Sequence, residues 1–225
     1  MRALALTVTE IATSAGQVHV RCGGSELNPT PGQFYLAWAA TPKQSFLRLP
    51  ILPYLTPIGG LEFCVASDHP YAALEPGQTL DVIGPCGRGF NLPAQATHLL
   101  LKCDSPARLL GLIYRALDAR LNVTLLLPEA APLPEAPLDV EIARGPLTID
   151  LADWADVVAL DVADPVTDAR LLRSLCPMRP AEFVQALILP PMPCGTGACQ
   201  ACWVETGPHP HRRRLACVDG PVFNL

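Results

Sequence analysis

Four of the nine cysteines in this 225-residue chain lie within one short segment. Their spacing is C-x4-C-x2-C, followed after fourteen residues by the last of the four. The spacing of the first three is that of plant-type [2Fe–2S] ferredoxins, in which cysteine thiolates bind the irons. The pattern therefore predicts a [2Fe–2S] cluster, and its candidate ligands are Cys194, Cys199, Cys202 and Cys217.

The residues between these cysteines suit a cluster. Three thiolates that come from nine residues must wrap one side of a compact group, so the chain between them has to curl tightly. Gly195, Gly197, Ala198 and Ala201 are small enough to let backbone N–H groups approach the sulfides. Such N–H dipoles would stabilise the reduced, more negative state.

Two other metal sites fit the segment less well. Four-cysteine zinc sites usually consist of two separated C-x2-C pairs, whereas here three candidates share one glycine-rich loop. A Rieske centre would replace two cysteines by two histidines. His209 and His211 are present, but four cysteines already are too, so we interpret both histidines as solvated hairpin residues. The arginines at 212–214 are either an exposed turn, a docking patch or a local positive field.

Composition limits the remaining functions. Half of the residues are hydrophobic and 16% are charged, which is typical of a compact globular protein. The formal net charge of −5 gives no reason to expect nucleic acid or an anionic membrane as a partner. We found no apolar run of about 20 residues and no signal-peptide pattern, and the other five cysteines are scattered like core residues. We therefore expect a cytoplasmic protein in a reducing compartment.

The elements that must position the cysteines form three segments. Residues 1–92 alternate between short β-rich runs and Gly/Pro turns, which predicts an antiparallel barrel or sandwich. Residues 93–190 change to a β–α–β rhythm, which predicts a small α/β domain with a parallel sheet. Residues 191–225 form the cluster module. The predicted strands of the first segment are Ala3–Thr9, Gln17–Arg21, Gln33–Ala39, Leu61–Ala66 and Gln78–Ile83.

The α/β segment has recognisable helix and strand signals. Ser105 and Pro106 are predicted as the N-cap and first position of a helix. The apolar residues that follow recur at helical spacing. The predicted strands are His98–Cys103, Asn122–Leu127 and Val157–Val162, and a second helix is predicted around Leu171–Leu175.

Three motifs together resemble a known family. Residues 192–204 and the C-x-D-G-P-V-F ending at 217–223 are similar to the electron-transfer subunit of class 1B dihydroorotate dehydrogenase. The turns at 31–34 and 76–90 resemble that family's flavin barrel. The resemblance implies an FAD-binding β-barrel, a nucleotide-binding α/β domain and a [2Fe–2S] tail with the four cysteines as ligands. It also implies that electrons from a catalytic flavin subunit, which oxidises dihydroorotate, pass through cluster and FAD to NAD.

The FAD motif of that family is incomplete here. The family's barrel carries Arg-Pro-x-Ser, with the arginine on the FAD pyrophosphate. Here residues 48–52 read RLPIL, so Arg48 and Pro50 are the candidate FAD-binding residues. Arg48 is one residue early and would face the opposite side of a strand unless a bulge brings it back; the alternative is an exposed edge-strand arginine. The family's Gly-x-Gly-Thr is also absent from residues 66–71, and the sequence leaves FAD binding open.

The nucleotide motif departs further. The family places pyrophosphate in a glycine-rich turn at a helix N-terminus. Residues 102–107 contain no glycine, Pro106 lacks an N–H, and Asp104 adds negative charge. The family's Cys-Gly-Pro is missing around 159–165. We therefore predict that NAD does not bind, and expect no measurable NADH binding at near-millimolar concentration by calorimetry.

Three functions remain open at this stage. The first is an electron-transfer subunit in a hetero-oligomer with a flavin-containing dihydroorotate dehydrogenase catalytic subunit, in pyrimidine biosynthesis. The others are a module of another oxidoreductase complex, and a [2Fe–2S] adaptor or regulatory protein that has lost flavin and NAD binding. Met192, Pro193 and Trp203 are candidates for a docking face; the alternative is that Met192 and Trp203 shield the cluster.

Overall fold

The N-terminal part of the protein, up to Cys86, is a nearly closed antiparallel β-barrel. The computed structural model describes residues 2–14, 16–24, 27–41, 46–54, 60–132, 136–206 and 213–225. Seven strands pair in the order β4-β3-β7-β1-β2-β6-β5. The two end strands are consecutive in the chain and are separated only by Leu52, so the chain itself closes the barrel. The strands are β1 Arg2–Ser14, β2 Gln17–Gly23, β3 Phe34–Trp38, β4 Leu49–Ile51, β5 Pro53–Tyr54, β6 Leu61–Ala66 and β7 Thr79–Cys86.

Strand β3 shows how the barrel is joined to the rest of the protein. Successive side chains of a strand point to opposite faces. Tyr35 and Ala37 accordingly lie in the barrel core, together with residues such as Phe63. Phe34 and Leu36 face the other way, into a separate apolar cluster that contains the C-terminal module. All five barrel strands predicted from the sequence are confirmed, but β4 and β5 were not predicted, because they are too short to show an alternating pattern.

The second domain is a parallel sheet with helices on both faces. Apolar residues of α1 pack on one side of the sheet, and those of α2 and α3 pack on the other. The parallel strands pair in the order β10-β9-β8-β11-β12. The elements are β8 His98–Cys103, α1 Leu110–Asp118, β9 Asn122–Leu127, β10 Val140–Arg144, α2 Ile149–Trp154, β11 Val157–Asp161, α3 Pro165–Leu175 and β12 Val184–Leu187.

The start of the first helix differs from the prediction. Residues 106–109 form a single 3-10 turn before α1 begins at Leu110. Ser105 has the extended backbone of an N-cap, but its side chain makes no capping hydrogen bond, so that part of the prediction was wrong. The Ser-Pro signal therefore marks the start of the 3-10 turn rather than the start of the α-helix.

The C-terminal module is tied to both domains. It contains a hairpin of β13 Trp203–Glu205 and β14 Arg213–Leu215, the short helix α4 Ala216–Asp219, and β15 Val222–Asn224. Strand β15 pairs antiparallel with β12 and so becomes the edge strand of the α/β sheet. The backbone N–H of Arg88 donates to the carbonyl of Gly220 at 2.5 Å, which fixes the same segment to the barrel. The proposed boundaries at 92 and 190 stay predictions.

In the described ranges, no helix is both long enough and apolar enough to cross a membrane.

Candidate metal centre

The fold brings the four predicted cysteines together in two pairs. Cys202 and Cys217 have their sulfur atoms 3.1 Å apart. The backbone N–H of Cys199 points to the sulfur of Cys194 at 3.5 Å. Cys202 and Cys217 are 1% and 4% exposed, whereas Cys199 is exposed and Cys194 is half-buried. One pair therefore faces the protein interior and the other faces the surface.

The loop between the first three cysteines curls because three of its residues adopt left-handed backbone conformations. Gly195 and Gly197 have φ of 63° and 81°, where glycine carries no steric cost. A Cβ atom on Gly195 would collide with the side chain of Leu36, so the loop rests directly on the barrel. The third such residue is Gln200, with φ 55°. Its conformation could not be predicted, since nothing in the residue type requires it.

An apolar wall stands behind the inner pair of cysteines. Phe34, Leu36 and Cys86 come from the barrel, and Phe223 comes from β15. Met192 belongs to the same cluster and is buried, so it shields the inner cysteines and is not part of a docking face. The wall keeps water away from one side of the loop and leaves the side of Cys199 open.

The two pairs also differ electrostatically. Hydrogen bonds from the backbone N–H groups of Cys199 and Thr196 lower the pKa of Cys194 to about 6. Burial, followed by the neighbouring Cys202 sulfur, raises the pKa of Cys217 to about 12. The loop N–H groups therefore already favour negative charge on sulfur at the surface side, as the small residues of the loop predict.

The exposed side carries an aromatic residue. Trp203 follows Cys202 directly and is 45% exposed. The guanidinium of Arg213 stacks over its ring at 4.6 Å from the centroid, an arrangement that holds the indole in place. Val218, next to Cys217, is also exposed. His209, His211 and Arg212 lie outside the described residues.

The other five cysteines lie away from this centre in sequence and serve the packing. Cys22, Cys86, Cys103 and Cys176 are buried and Cys64 is half-buried. Burial raises the pKa of Cys22 and of Cys103 to about 12, which keeps both thiols protonated and unreactive. This agrees with the prediction that they are core residues.

The candidate FAD residues, Arg48 and Pro50, lie at the barrel wall, and their role in FAD binding stays a prediction. Arg48 lies just before β4, so the expectation that it sits within a strand was wrong. Its Nη1 donates to the carbonyl of Asp81 at 2.8 Å, which ties the side chain to the barrel wall. Pro50 lies in β4 opposite Leu36. In the turn that replaces Gly-x-Gly-Thr, a ring nitrogen of His69 accepts the backbone N–H of Tyr71 at 3.1 Å.

An ion pair occupies the place where a nucleotide would bind to this kind of sheet. In open α/β sheets, ligands bind at the carboxyl ends of the strands where the strand order reverses, here between β8 and β11. Asp161 ends β11 and is 2% exposed in its side chain. Arg108 donates to both of its carboxylate oxygens, at 2.6 and 2.9 Å. The adjoining Lys102 is paired with Asp168 at 2.6 Å. The absence of NAD binding stays a prediction, and these pairs are its physical basis.

The Arg108–Asp161 ion pair can be tested by replacing each partner separately, because the two replacements should destabilise the protein by different amounts. Replacing Arg108 by methionine leaves the Asp161 carboxylate buried and unpaired, and burial already raises its pKa. We expect a loss of about 3 kcal/mol in the free energy of unfolding. Asp161→Asn should cost less, because Arg108 is 47% exposed and its charge can reach water. Urea unfolding followed by circular dichroism measures both values, and equal losses would contradict this account.

Comparison with known proteins agrees with this geometry. Residues 190–225 match the model of the iron–sulfur cluster binding domain of dihydroorotate dehydrogenase B. No curated protein matches the sequence. Among solved structures, the NADH-dependent reduced ferredoxin–NADP oxidoreductase, a flavin-based electron-bifurcating protein, has a TM-score of 0.69 at 20% identity and covers 97% of this chain and 87% of its own. Phthalate dioxygenase reductase, described as transferring electrons from pyridine nucleotides to [2Fe–2S], has a TM-score of 0.61 at 14% identity, covering 83% of this chain and 68% of its own.

These similarities confirm two predictions made from the sequence. The barrel, the parallel-sheet domain and the cysteine-rich module together are a ferredoxin-reductase-like fold. The matched segment, residues 190–225, includes all four candidate ligand cysteines. The C-terminal module, residues 190–225, is therefore similar to the iron–sulfur cluster binding domain of dihydroorotate dehydrogenase B, as its cysteine motif predicts.

Proposed function

We propose that this chain is the iron–sulfur electron-transfer subunit of a dihydroorotate dehydrogenase complex in pyrimidine biosynthesis. It accepts electrons from a flavin-containing catalytic subunit that oxidises dihydroorotate. The observation that carries the proposal is the match of residues 190–225 to the cluster-binding domain of that enzyme. The ligands are Cys194, Cys199, Cys202 and Cys217.

The pairing of the cysteines supports a cluster with two irons. A single zinc ion would place four sulfur atoms around one point. Two pairs, Cys194 with Cys199 and Cys202 with Cys217, offer two thiolates to each of two irons.

The residues around the cysteines close one side of the site to water and leave the other side exposed. When bound, a [2Fe–2S] cluster supplies one-electron transfer and no substrate chemistry of its own. Phe34, Leu36 and Phe223 exclude water behind the inner pair. The outer pair, with Trp203 and Val218 beside it, is the side that a partner can approach. Electron exchange with another subunit therefore takes place across this surface, and Trp203 is its candidate aromatic contact.

The test combines assembly with electron transfer. The chain is co-expressed with a flavin-containing dihydroorotate dehydrogenase catalytic subunit, purified without oxygen and examined by size exclusion. We expect one complex in which dihydroorotate bleaches the visible absorbance of the cluster. The chain alone, given dihydroorotate, is the control and should keep its absorbance. Separate elution together with an unbleached cluster in the mixture would show that the pyrimidine assignment is wrong.

One observation favours a second function. The Arg108–Asp161 pair occupies the nucleotide position of the α/β sheet, and the family passes its electrons to NAD. A chain without that acceptor would serve as the electron-transfer module of another oxidoreductase, or as a [2Fe–2S] adaptor. The same experiment separates these functions, since only the first predicts bleaching by dihydroorotate.

A further inference from the structure

A cavity lies where the barrel, the α/β sheet and the C-terminal module meet. Its volume is about 610 Å³, within the range of small-molecule sites. Residues from all three parts line it: Arg88 and Asn91 after the barrel, Arg173 and Gln185 in the α/β domain, and Thr206, Arg214 and Asp219 in the C-terminal module. It lies beside the Gln185–Asn224 pair, at the start of β12. This is the sheet end opposite to the one that carries Asp161, so the cavity is distinct from the nucleotide position.

The charge of the lining is positive. Three arginine side chains and one acidic side chain, that of Asp219, line it. One oxygen of Asp219 already accepts the backbone N–H of Leu215 at 2.9 Å. Arg88 and Arg214 have no side-chain partner in the described part of the chain, so their guanidinium donors are available. The planar guanidinium group of arginine can donate two parallel hydrogen bonds to two oxygens of one phosphate group. Arginine side chains are therefore well suited to bind phosphate.

Arg173 contributes charge but no free donor. Its guanidinium donates to the carbonyls of Leu225, Arg179, Pro180 and Ala181. Burial lowers its pKa, though not enough to remove the charge from a guanidinium. A cation fixed in this way cannot move to form an ion pair elsewhere. Its guanidinium is therefore a fixed part of the cavity lining.

A buried hydroxyl provides the second, independent observation. Thr206 lines the cavity and is 6% exposed. Its Oγ1 has no hydrogen-bond partner in the described part of the chain. Buried hydroxyl groups are nearly always hydrogen-bonded, because an unpaired one has lost its water without replacement. A hydroxyl left open in a positively charged cavity indicates a ligand that accepts a hydrogen bond.

We infer that this cavity binds a phosphorylated small molecule. Its phosphate is held by Arg88 and Arg214 in the field of Arg173, and it accepts a hydrogen bond from Thr206. The site lies beside β15 and the hairpin that follows Cys202, so the ligand stabilises the C-terminal module against the α/β sheet. Binding of this kind requires no electron transfer and stands independently of the function proposed above.

The experiment uses the intact, cluster-loaded protein with inorganic pyrophosphate and a nucleoside monophosphate as probes. Calorimetry should give saturable binding of at least one probe, and the melting temperature should rise with its concentration. Arg88→Gln and Arg214→Gln should each weaken that binding about tenfold, as expected for loss of a charge-assisted hydrogen bond. Thr206→Val should weaken it by a smaller factor, and the visible spectrum of each variant confirms that the cluster is retained.

Arg115→Gln is the matched control, because Arg115 is an exposed arginine of α1 that does not line the cavity. It should leave probe binding unchanged. Equal weakening by Arg115→Gln and Arg214→Gln would mean that only net charge matters and would overturn the inference. Failure of both probes to bind at millimolar concentration would overturn it as well.

Discussion

Replacing Cys217 by serine should lower the iron and sulfide content of the purified protein from about two of each per chain to near zero. Cys217 is buried against the apolar wall, and its sulfur lies 3.1 Å from that of Cys202. No other described cysteine in that wall except Cys86 could approach the vacated position, and the sulfur of Cys86 already points to the carbonyl of Ile83. Iron and acid-labile sulfide analysis after anaerobic purification measures the change.

The other candidate ligands should behave alike, with one difference in degree. Cys202→Ser should match Cys217→Ser, since both residues hold the inner side. Cys199 is exposed, so in Cys199→Ser the serine oxygen has room to replace the sulfur as a ligand. We therefore expect this variant to retain part of its iron and sulfide in a labile form. Cys22→Ser and Cys176→Ser are the controls and should keep full iron and sulfide. Stoichiometric zinc without sulfide in the wild-type protein would refute the cluster assignment.

Replacing Gly87 by alanine should destabilise the protein by about 3 kcal/mol and reduce its cluster content, although Gly87 is not a ligand. Gly87 has φ 73°, and a Cβ there would collide with the carbonyl oxygen of Gly220 and come within 2.8 Å of Pro221. These are atoms of the backbone and of a fixed ring, so they cannot give way as a flexible side chain could. The segment that is pushed aside is the one that follows Cys217.

Gly77→Ala is the matched control for that prediction. Gly77 has φ 91°, a similar backbone strain, but nothing lies within 4 Å of the added Cβ. Its cost should be about 1 kcal/mol, from backbone conformation alone, with no change in the cluster. Urea unfolding and iron analysis of both variants provide the comparison. Equal losses would mean that the contact with Gly220 does not matter.

Local patterns in the sequence were sufficient for much of the fold. His98–Cys103 and Asn122–Leu127 have the bounds that were predicted, because continuous apolar runs between turns define buried strands well. The edge strands Val140–Arg144 and Val222–Asn224 were not predicted. Each of these segments forms a strand because it pairs with a neighbouring strand, not because its own residues strongly favour one. Pairing with a distant part of the chain produces no recognisable pattern in so short a segment.

The candidate site shows the same division. Cysteine spacing and glycine positions predicted which residues form the loop, since both follow from local geometry. The burial of Met192 and the hydrogen bond from Arg48 to Asp81 depend on elements far apart in the chain. The stacking of Arg213 on Trp203 depends on how the two strands of the β13–β14 hairpin pair. The Arg108–Asp161 ion pair likewise joins residues far apart in the chain. The sequence indicated that the turn at 102–107 is unsuited to phosphate, but it did not indicate which charged residues pair there.

The position of β15 has a consequence for how the protein acquires its metal in the cell. Cys217 is held between the hairpin and β15, and β15 in turn pairs with β12 of the α/β sheet. During synthesis, the first three cysteines emerge from the ribosome before this strand does. Until β15 has docked, the fourth thiolate has no fixed position, because metal binding and folding are coupled. Cluster delivery is therefore expected only after β15 has docked, onto a chain whose parallel sheet has already formed.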